Sequence, residues 1–217
     1  MNPARTNRCQ AFSVPELLIV VFCLALAAAL LLPGLARSRA RSSRITCVNH
    51  LKQIGLSFRT FALDDNDKFP MQVSVTNGGA LESIPLGWVY PHFQVMSNEL
   101  STPRILVCPL DRRRTNAVSF GPGFGDHNIS YFVGIDAVDT TPQMILAGDD
   151  NLLVSGKPAK PGLLHLWTNA PIAWSASRHV NQGNLCFADG SVQQASNVRL
   201  PLFLQSTGQA TNRLLMP

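Results

Sequence analysis

The feature that most constrains this chain is a long apolar run close to its N-terminus. Residues 17–32 read LLIVVFCLALAAALLL, sixteen apolar residues in succession, and the uncharged stretch 17–36 is twenty residues long. A helix of that length spans about 30 Å at ~1.5 Å per residue, which matches the hydrocarbon core of a bilayer. The run therefore predicts a transmembrane helix.

Three other interpretations of this run compete with a retained membrane anchor. A buried core helix would need apolar contacts on all sides, although four arginines follow within residues 37–44. A cleaved signal peptide fits the two arginines before the run, but further apolar sequence follows the small residues 27–29. A lipoprotein would use Cys23, but the bulky Phe22 precedes it. We expect a retained anchor.

The excess positive charge of the chain lies beside the apolar run. The formal net charge is +5, and residues 1–44 carry all of it, with six arginines and one acidic residue, Glu16. Residues 45–217 have 12 basic and 12 acidic side chains. Basic residues beside a hydrophobic span meet lipid head groups, whereas a nucleic-acid-binding protein needs a basic face on its folded part. The charge therefore predicts the membrane bilayer as a partner and no nucleic acid.

The acidic residue Glu16 immediately precedes the apolar run. Residues 11–21, AFSVPELLIVV, resemble the processing site of type IV prepilins and type II secretion pseudopilins. The resemblance implies that a prepilin peptidase cleaves between Ala11 and Phe12, with Ala11 where glycine is usual, and that the new amine of Phe12 is methylated. It also implies that Glu16 meets the N-terminal amine of a neighbouring subunit during assembly, since opposite charges attract strongly in a low dielectric.

The region after the anchor resembles a large group of bacterial prepilin-like proteins at further places. The last of them is an H-x(9)-D-G element, in which nine residues separate His179 from Asp189 and Gly190. The others are CVNHLKQIGL at 47–56, DDNDKFP at 64–70 and VCPLD at 107–111. The resemblance implies an α+β, pilin-like fold, in which a long N-terminal helix, transmembrane and then amphipathic, packs on an antiparallel β-sheet head.

The expected organisation is a leader peptide at 1–11, a transmembrane and stem helix at 12–63, and a head at 64–217. The stem carries one apolar stripe at steps of three and four residues, typical of an amphipathic helix. The stripe comprises Val48, Leu51, Ile54, Phe58 and Phe61.

Short runs between turn-forming residues predict a strand-rich, antiparallel head. Asp189-Gly190 between two of these runs predicts a hairpin with a type I′ turn, in which both central residues have positive φ. The predicted strands are 71–75, 87–90, 105–108, 129–133, 144–147, 163–167, 184–188 and 191–194.

Several residues are candidates for chemistry. His179 and Asp189 suggest a catalytic or metal site, but the alternative is that Asp189 shapes the hairpin turn while His179 bonds to nearby backbone. Asp149 and Asp150 are a calcium candidate, because calcium takes oxygen ligands, or simply a loop after a strand.

The five cysteines have no C-x-x-C spacing, and the histidines have no zinc spacing, so we predict no metal site and no cofactor. Buried thiols are the simplest interpretation of the cysteines. If a disulfide forms in the oxidising periplasm, we expect it to join Cys47 and Cys108.

These observations predict a structural protein that is not an enzyme: a prepilin-like or pseudopilin-like subunit of a type II secretion pseudopilus or a type IV pilus-like assembly. The expected place is the bacterial inner membrane, single-pass, with the head in the periplasm, or the cell surface after assembly. Its expected partners are the bilayer, the prepilin peptidase and pilin-like subunits of its own or another kind. The positive-inside rule opposes this orientation, because four arginines follow the span and two precede it. The alternative is a membrane-tethered periplasmic enzyme or ligand-binding module that uses His179 and Asp189.

Overall fold

The computed structural model of the protein describes residues 14–217, in two compact units that divide after Ser42. The predicted leader and the cleavage and methylation site at Ala11 and Phe12 lie outside the described residues. The first helix, α1, runs from Val14 to Asp64 and contributes to both units.

The first unit contains the apolar part of α1. Val14–Leu32 has a mean hydropathy of 2.6, and none of it is buried by protein. Large side chains such as Phe22 and Leu30 are exposed over 68% and 74% of their surface. A core helix of a soluble domain would bury such residues, because their transfer out of water is favourable by roughly 1.5–3 kcal/mol each. This part of α1 is therefore long and apolar enough to cross a membrane, and protein contacts leave it uncovered.

In the second unit, α1 buries one face. Cys47, Leu51, Ile54 and Phe58 are fully buried, and Phe61 is nearly so, which confirms most of the predicted apolar stripe. On the outer face of the same helix, large side chains such as Leu56 and Leu63 remain exposed. The α1 stem is thus a core element of the head.

The chain after α1 forms turns and short helices where three strands were predicted. The predicted strands at 71–75 and 105–108 are wrong, because Pro70 and Pro103 begin 3₁₀ turns there, where proline sets φ for a helical turn and supplies no amide to a sheet. The predicted strand at 87–90 is also wrong, because these residues form the turn that leads into the helix Tyr90–Gln94. The helices are the 3₁₀ turns Pro70–Gln72, Val75–Asn77, Leu81–Ser83, Pro103–Leu106 and Asp126–Asn128, and the short α-helices α2 (Tyr90–Gln94) and α3 (Ser97–Leu100).

The rest of the head is built from two antiparallel sheets. The six-stranded sheet has the order β5-β9-β1-β2-β7-β8, and the three-stranded sheet has the order β4-β3-β6. The strands are β1 (Tyr131–Gly134), β2 (Ile145–Asp149), β3 (Leu152–Val154), β4 (Lys157–Pro158), β5 (Gly162–Trp167), β6 (Ile172–Trp174), β7 (Gln182–Phe187), β8 (Val192–Ser196) and β9 (Thr211–Met216). One further helix, α4, covers Leu200–Ser206.

Five of the predicted strands correspond to β1, β2, β5, β7 and β8, and the coarse prediction of an α+β chain with an N-terminal apolar helix and an antiparallel sheet is confirmed. The C-terminal strand β9 was not predicted. It pairs with β5 on one side and β1 on the other, and Val133 lies opposite Leu215 in that register.

The β7–β8 hairpin forms as predicted, but its turn is not type I′. Only Gly190 has a positive φ, at 81°, while Ala188 and Asp189 do not. The amide of Gly190 donates to the carbonyl of Phe187, and Phe187 pairs with Ser191. A turn closed by one left-handed glycine is typical of a three-residue hairpin loop with a bulge.

We expect the core on α1 to be sensitive to truncation at Phe58. Its ring is fully buried and makes edge-on contacts with Phe69 and Phe93. Phe58→Ala should lower the free energy of unfolding of the head by about 3–5 kcal/mol, whereas Leu63→Ala on the exposed face should change it by less than about 0.5 kcal/mol. Denaturant titration of the full chain in detergent, followed by Trp fluorescence, measures both; equal effects would contradict this packing.

Candidate functional site

Two thiols and an imidazole meet in the interior of the head. The ligand atoms of Cys47, Cys108 and His179 all lie within 4.8 Å of one another, and all three residues are buried. His179 Nε2 lies 3.5 Å from Cys108 Sγ. Asp149 Oδ2 lies 3.7 Å from the same nitrogen, and both of those side chains are completely inaccessible to solvent. We refer to these four residues as the thiol–imidazole cluster.

Four separate parts of the chain deliver these residues. Cys47 is a buried residue of α1, and Cys108 follows the 3₁₀ turn Pro103–Leu106. Asp149 is the last residue of β2, and His179 lies between β6 and β7. The cluster therefore forms only when the stem helix, two loops and the end of the interior strand β2 are all in place.

The loop that carries His179 has an unusual backbone. His179, Val180 and Asn181 have φ values of 53°, 52° and 57°, in the left-handed region. For L-residues this region costs roughly 1–2 kcal/mol each, and a β-branched valine is particularly disfavoured there. The turn directs His179 into the interior and leaves Val180 80% exposed. Backbone strain of this kind persists only where surrounding interactions hold it, and it concentrates at functional sites.

Only one of the two carboxylate oxygens of Asp149 has hydrogen-bond partners among the described residues. Its Oδ2 accepts hydrogen bonds from the backbone amide and the side-chain amide of Asn184, at 2.7 and 2.9 Å. Its Oδ1 is buried and has no hydrogen-bond partner among the described residues. Burial raises the pKa of this carboxyl, against the opposing influence of Arg178 and His179.

The pKa values of the two thiols are shifted in opposite directions. The hydrogen bond between them raises the pKa of Cys47 and lowers that of Cys108. His179 and the positive charge of Arg178 also lower the pKa of Cys108, although burial acts against them. The thiolate is the form of cysteine that binds metals and attacks electrophiles, and these interactions favour it at Cys108 over Cys47.

A buried ion-pair network holds Arg178, the residue before His179. The Arg178 guanidinium contacts Asp111 Oδ2 at 3.2 Å and also pairs with Asp150. Arg114 Nη2 adds a contact of 2.9 Å to Asp150, and Arg113 bridges Asp111 and Asp150 from the surface. Burial alone would raise the pKa of Asp111, but Arg113 and Arg178 lower it below its usual value. The ion pairs with Asp111 and Asp150 thus fix the position of Arg178 next to His179.

The predicted pair of His179 and Asp189 does not form a site. Asp189 is exposed in the hairpin turn, where its Oδ1 accepts the amide of Ser191 at 2.8 Å. This agrees with the alternative that Asp189 shapes the turn. The prediction that His179 bonds to nearby backbone is wrong, because its Nε2 faces a thiol and a carboxylate.

The structure also argues against Asp149 and Asp150 as a calcium site. Asp150 faces Arg113, Arg114 and Arg178, whose positive charges repel a cation. Asp149 faces an imidazole and an amide instead of a cage of oxygen ligands. The two neighbouring carboxylates thus belong to two different clusters.

Cys47 and Cys108, the predicted disulfide partners, are adjacent and carry free thiols, as do Cys23 and Cys186. A bond between the first two stays a prediction. Spacing rules missed the cluster because 60 residues lie between its cysteines and a further 70 lie between Cys108 and His179. A usable signal existed, since three of the segments that resemble prepilin-like proteins each contribute one member.

Comparisons of the chain with protein-family models, with characterised proteins and with solved structures found no match.

We expect the network under His179 to depend on Arg178, whose side chain is 1% exposed. Arg178→Met leaves two buried carboxylates without their central partner and should lower the free energy of unfolding by about 3–5 kcal/mol. The exposed Arg112 provides the matched control, and Arg112→Met should change it by less than about 0.5 kcal/mol. Thermal and denaturant unfolding of the full chain measures both, and a stable Arg178→Met protein would contradict the role given to this network.

Proposed function

We propose that this protein is a membrane-anchored, prepilin-like structural protein whose folded head lies in the periplasm. The observation that carries the proposal is the change of character along α1. Its residues Val14–Leu32 are apolar on all sides and uncovered by protein, whereas from Cys47 the helix buries a single face in the head. A helix that is apolar all round is covered either by a protein core or by lipid, and here no protein core covers it.

The position of Glu16 supports the prepilin-like part of the proposal. Glu16 lies in the first turn of α1, where a carboxylate interacts favourably with the positive end of the helix dipole. In the resembling proteins this glutamate receives the N-terminal amine of a neighbouring subunit. A buried amine and carboxylate relieve each other's loss of hydration, so the pair would set the register between packed anchor helices.

In this proposal a prepilin peptidase removes residues 1–11, and the apolar helix stays in the bacterial inner membrane until assembly into a pilus-like or pseudopilus-like fibre. Packing of residues 17–32 against equivalent helices would drive assembly. The alternative is a membrane-tethered periplasmic enzyme or ligand-binding module that uses His179 and Asp189. It is less well supported, because His179 is buried and Asp189 lies in an exposed turn.

We expect processing to occur immediately before Phe12. Mass spectrometry of the N-terminal peptide of membrane-purified protein, expressed with a prepilin peptidase, should find a methylated Phe12. Ala11→Leu should block the cut, because the resemblance requires a small residue there. Ala29→Leu should leave it unchanged, since residue 29 is where a signal peptidase would cut. An intact Met1, or a new N-terminus after Ala29, would overturn the proposal.

We expect the charge of Glu16 to be needed for association. Glu16→Gln removes the carboxylate while keeping the size of the side chain, and should reduce chemically cross-linked oligomers in the membrane by roughly tenfold, equivalent to about 1.4 kcal/mol. Asp64→Asn is the matched control, because Asp64 is an exposed acid at the other end of the same helix. Unchanged cross-linking of Glu16→Gln would contradict the proposal. So would a head that external protease cannot digest until the cytoplasmic membrane is broken, because the proposal places the head in the periplasm.

A further inference from the structure

We propose that Cys47, Cys108 and His179 bind one zinc ion, which acts as a structural cross-link between the α1 stem and two loops of the head. We assign the fourth position to Asp149, whose Oδ2 lies 3.7 Å from His179 Nε2. This inference goes beyond the proposed function and does not depend on it.

The donor types select the metal. Two sulfurs and one imidazole nitrogen form a soft to borderline set that suits zinc, whereas calcium and magnesium require oxygen ligands. Zinc in structural sites is held by four ligands drawn from cysteine, histidine and carboxylates, in a site closed to solvent. The cluster is closed in this sense, because Cys47 and Cys108 have no exposed surface and the side chains of His179 and Asp149 are inaccessible.

The distances suit tetrahedral coordination. Zinc–sulfur and zinc–nitrogen bonds of about 2.3 and 2.0–2.1 Å at a tetrahedral angle place the two donor atoms roughly 3.6 Å apart. The observed distance from His179 Nε2 to Cys108 Sγ is 3.5 Å. A carboxylate ligand would lie roughly 3.4 Å from the nitrogen on the same reasoning, and Asp149 Oδ2 lies at 3.7 Å. Both distances from His179 Nε2 are therefore close to those expected around a coordinated ion.

The ion would resolve two unfavourable features of this interior. The first is the carboxylate of Asp149, which is completely inaccessible to solvent and whose Oδ1 has no hydrogen-bond partner among the described residues. Such a group is costly in a protein interior unless a cation or a donor reaches it. The second is the left-handed turn at 179–181, which a metal–nitrogen bond to His179 would hold in place.

A disulfide between Cys47 and Cys108 is the competing use of the same thiols. It would join the stem to one loop but would make no use of His179 or Asp149, which the fold brings to the thiols through a strained turn and two hydrogen bonds from Asn184. The positions of these two residues favour zinc.

The test is the metal content of the full chain, purified from membranes in detergent without chelators. Elemental analysis should find about one zinc per chain. Cys108→Ser and His179→Ala should each lower the zinc content at least roughly tenfold, consistent with the loss of a ligand. Cys186→Ala is the matched control, because Cys186 is an equally buried free thiol outside the cluster, and it should retain the zinc.

A second measurement uses the unsubstituted chain, so its result does not depend on whether the variants fold. Zinc is removed with a chelator and replaced by cobalt(II), which should produce a thiolate-to-cobalt charge-transfer band in the near ultraviolet. Zinc-free protein that fails to take up cobalt, cobalt bound without that band, or a purified chain in which Cys47 and Cys108 form a disulfide would each overturn the proposal.

Discussion

The head depends on the burial of one face of α1. From Cys47 onward every third or fourth residue of this helix is enclosed, and Phe58 joins the rings of Phe69 and Phe93 in a single core. The close approach of the sheet requires Gly55, where a Cβ atom would lie 2.5 Å from Cys186 Sγ. Any larger side chain would push β7 away from the helix, and the core behind it would lose its packing density.

The parts of this fold that local physics determines could be predicted from the sequence. The apolar run, the stripe on the stem and the strands β1, β2, β5, β7 and β8 each follow from hydrophobic pattern over a few residues. Of the three predicted strands that are wrong, 71–75 and 105–108 follow a proline that begins a 3₁₀ turn, and 87–90 is the turn that leads into α2. Strand β9 was missed because half of Thr211–Met216 is polar, and its place between β5 and β1 is decided by the completed sheet.

The site was harder to predict because it is made by tertiary contacts between distant segments. Neither the convergence of Cys47, Cys108 and His179 nor the ion pairs of Arg178 has a local spacing signature, since each partner lies on a different element. The H-x(9)-D-G resemblance drew attention to His179, and a site shared with Asp189 was one of two interpretations. Asp189 belongs to the hairpin turn, and the polar neighbours of His179 come from other segments.

The H-x(9)-D-G element has a physical interpretation in this fold. Its histidine lies beside Cys47, and its glycine lies where a Cβ on Gly55 would meet Gly190 Cα at 3.3 Å, so both ends of the element reach the same helix. Eight residues of helix separate these two points, about 12 Å. Between them the element must make the inward turn at His179, run the six-residue strand β7, about 20 Å of extended chain, and reverse at Gly190.

The spacing between histidine and glycine therefore sets how far the β7–β8 hairpin extends past the stem. One residue fewer would shift the pairing of β7 with β2 and move alternate side chains of β7 to the opposite face. Leu185 and Phe187 would then leave the buried apolar cluster that they share with Trp174 and with residues of α4. The spacing between His179 and Gly190 is thus a length requirement of the architecture, and it holds whether or not His179 also serves a metal.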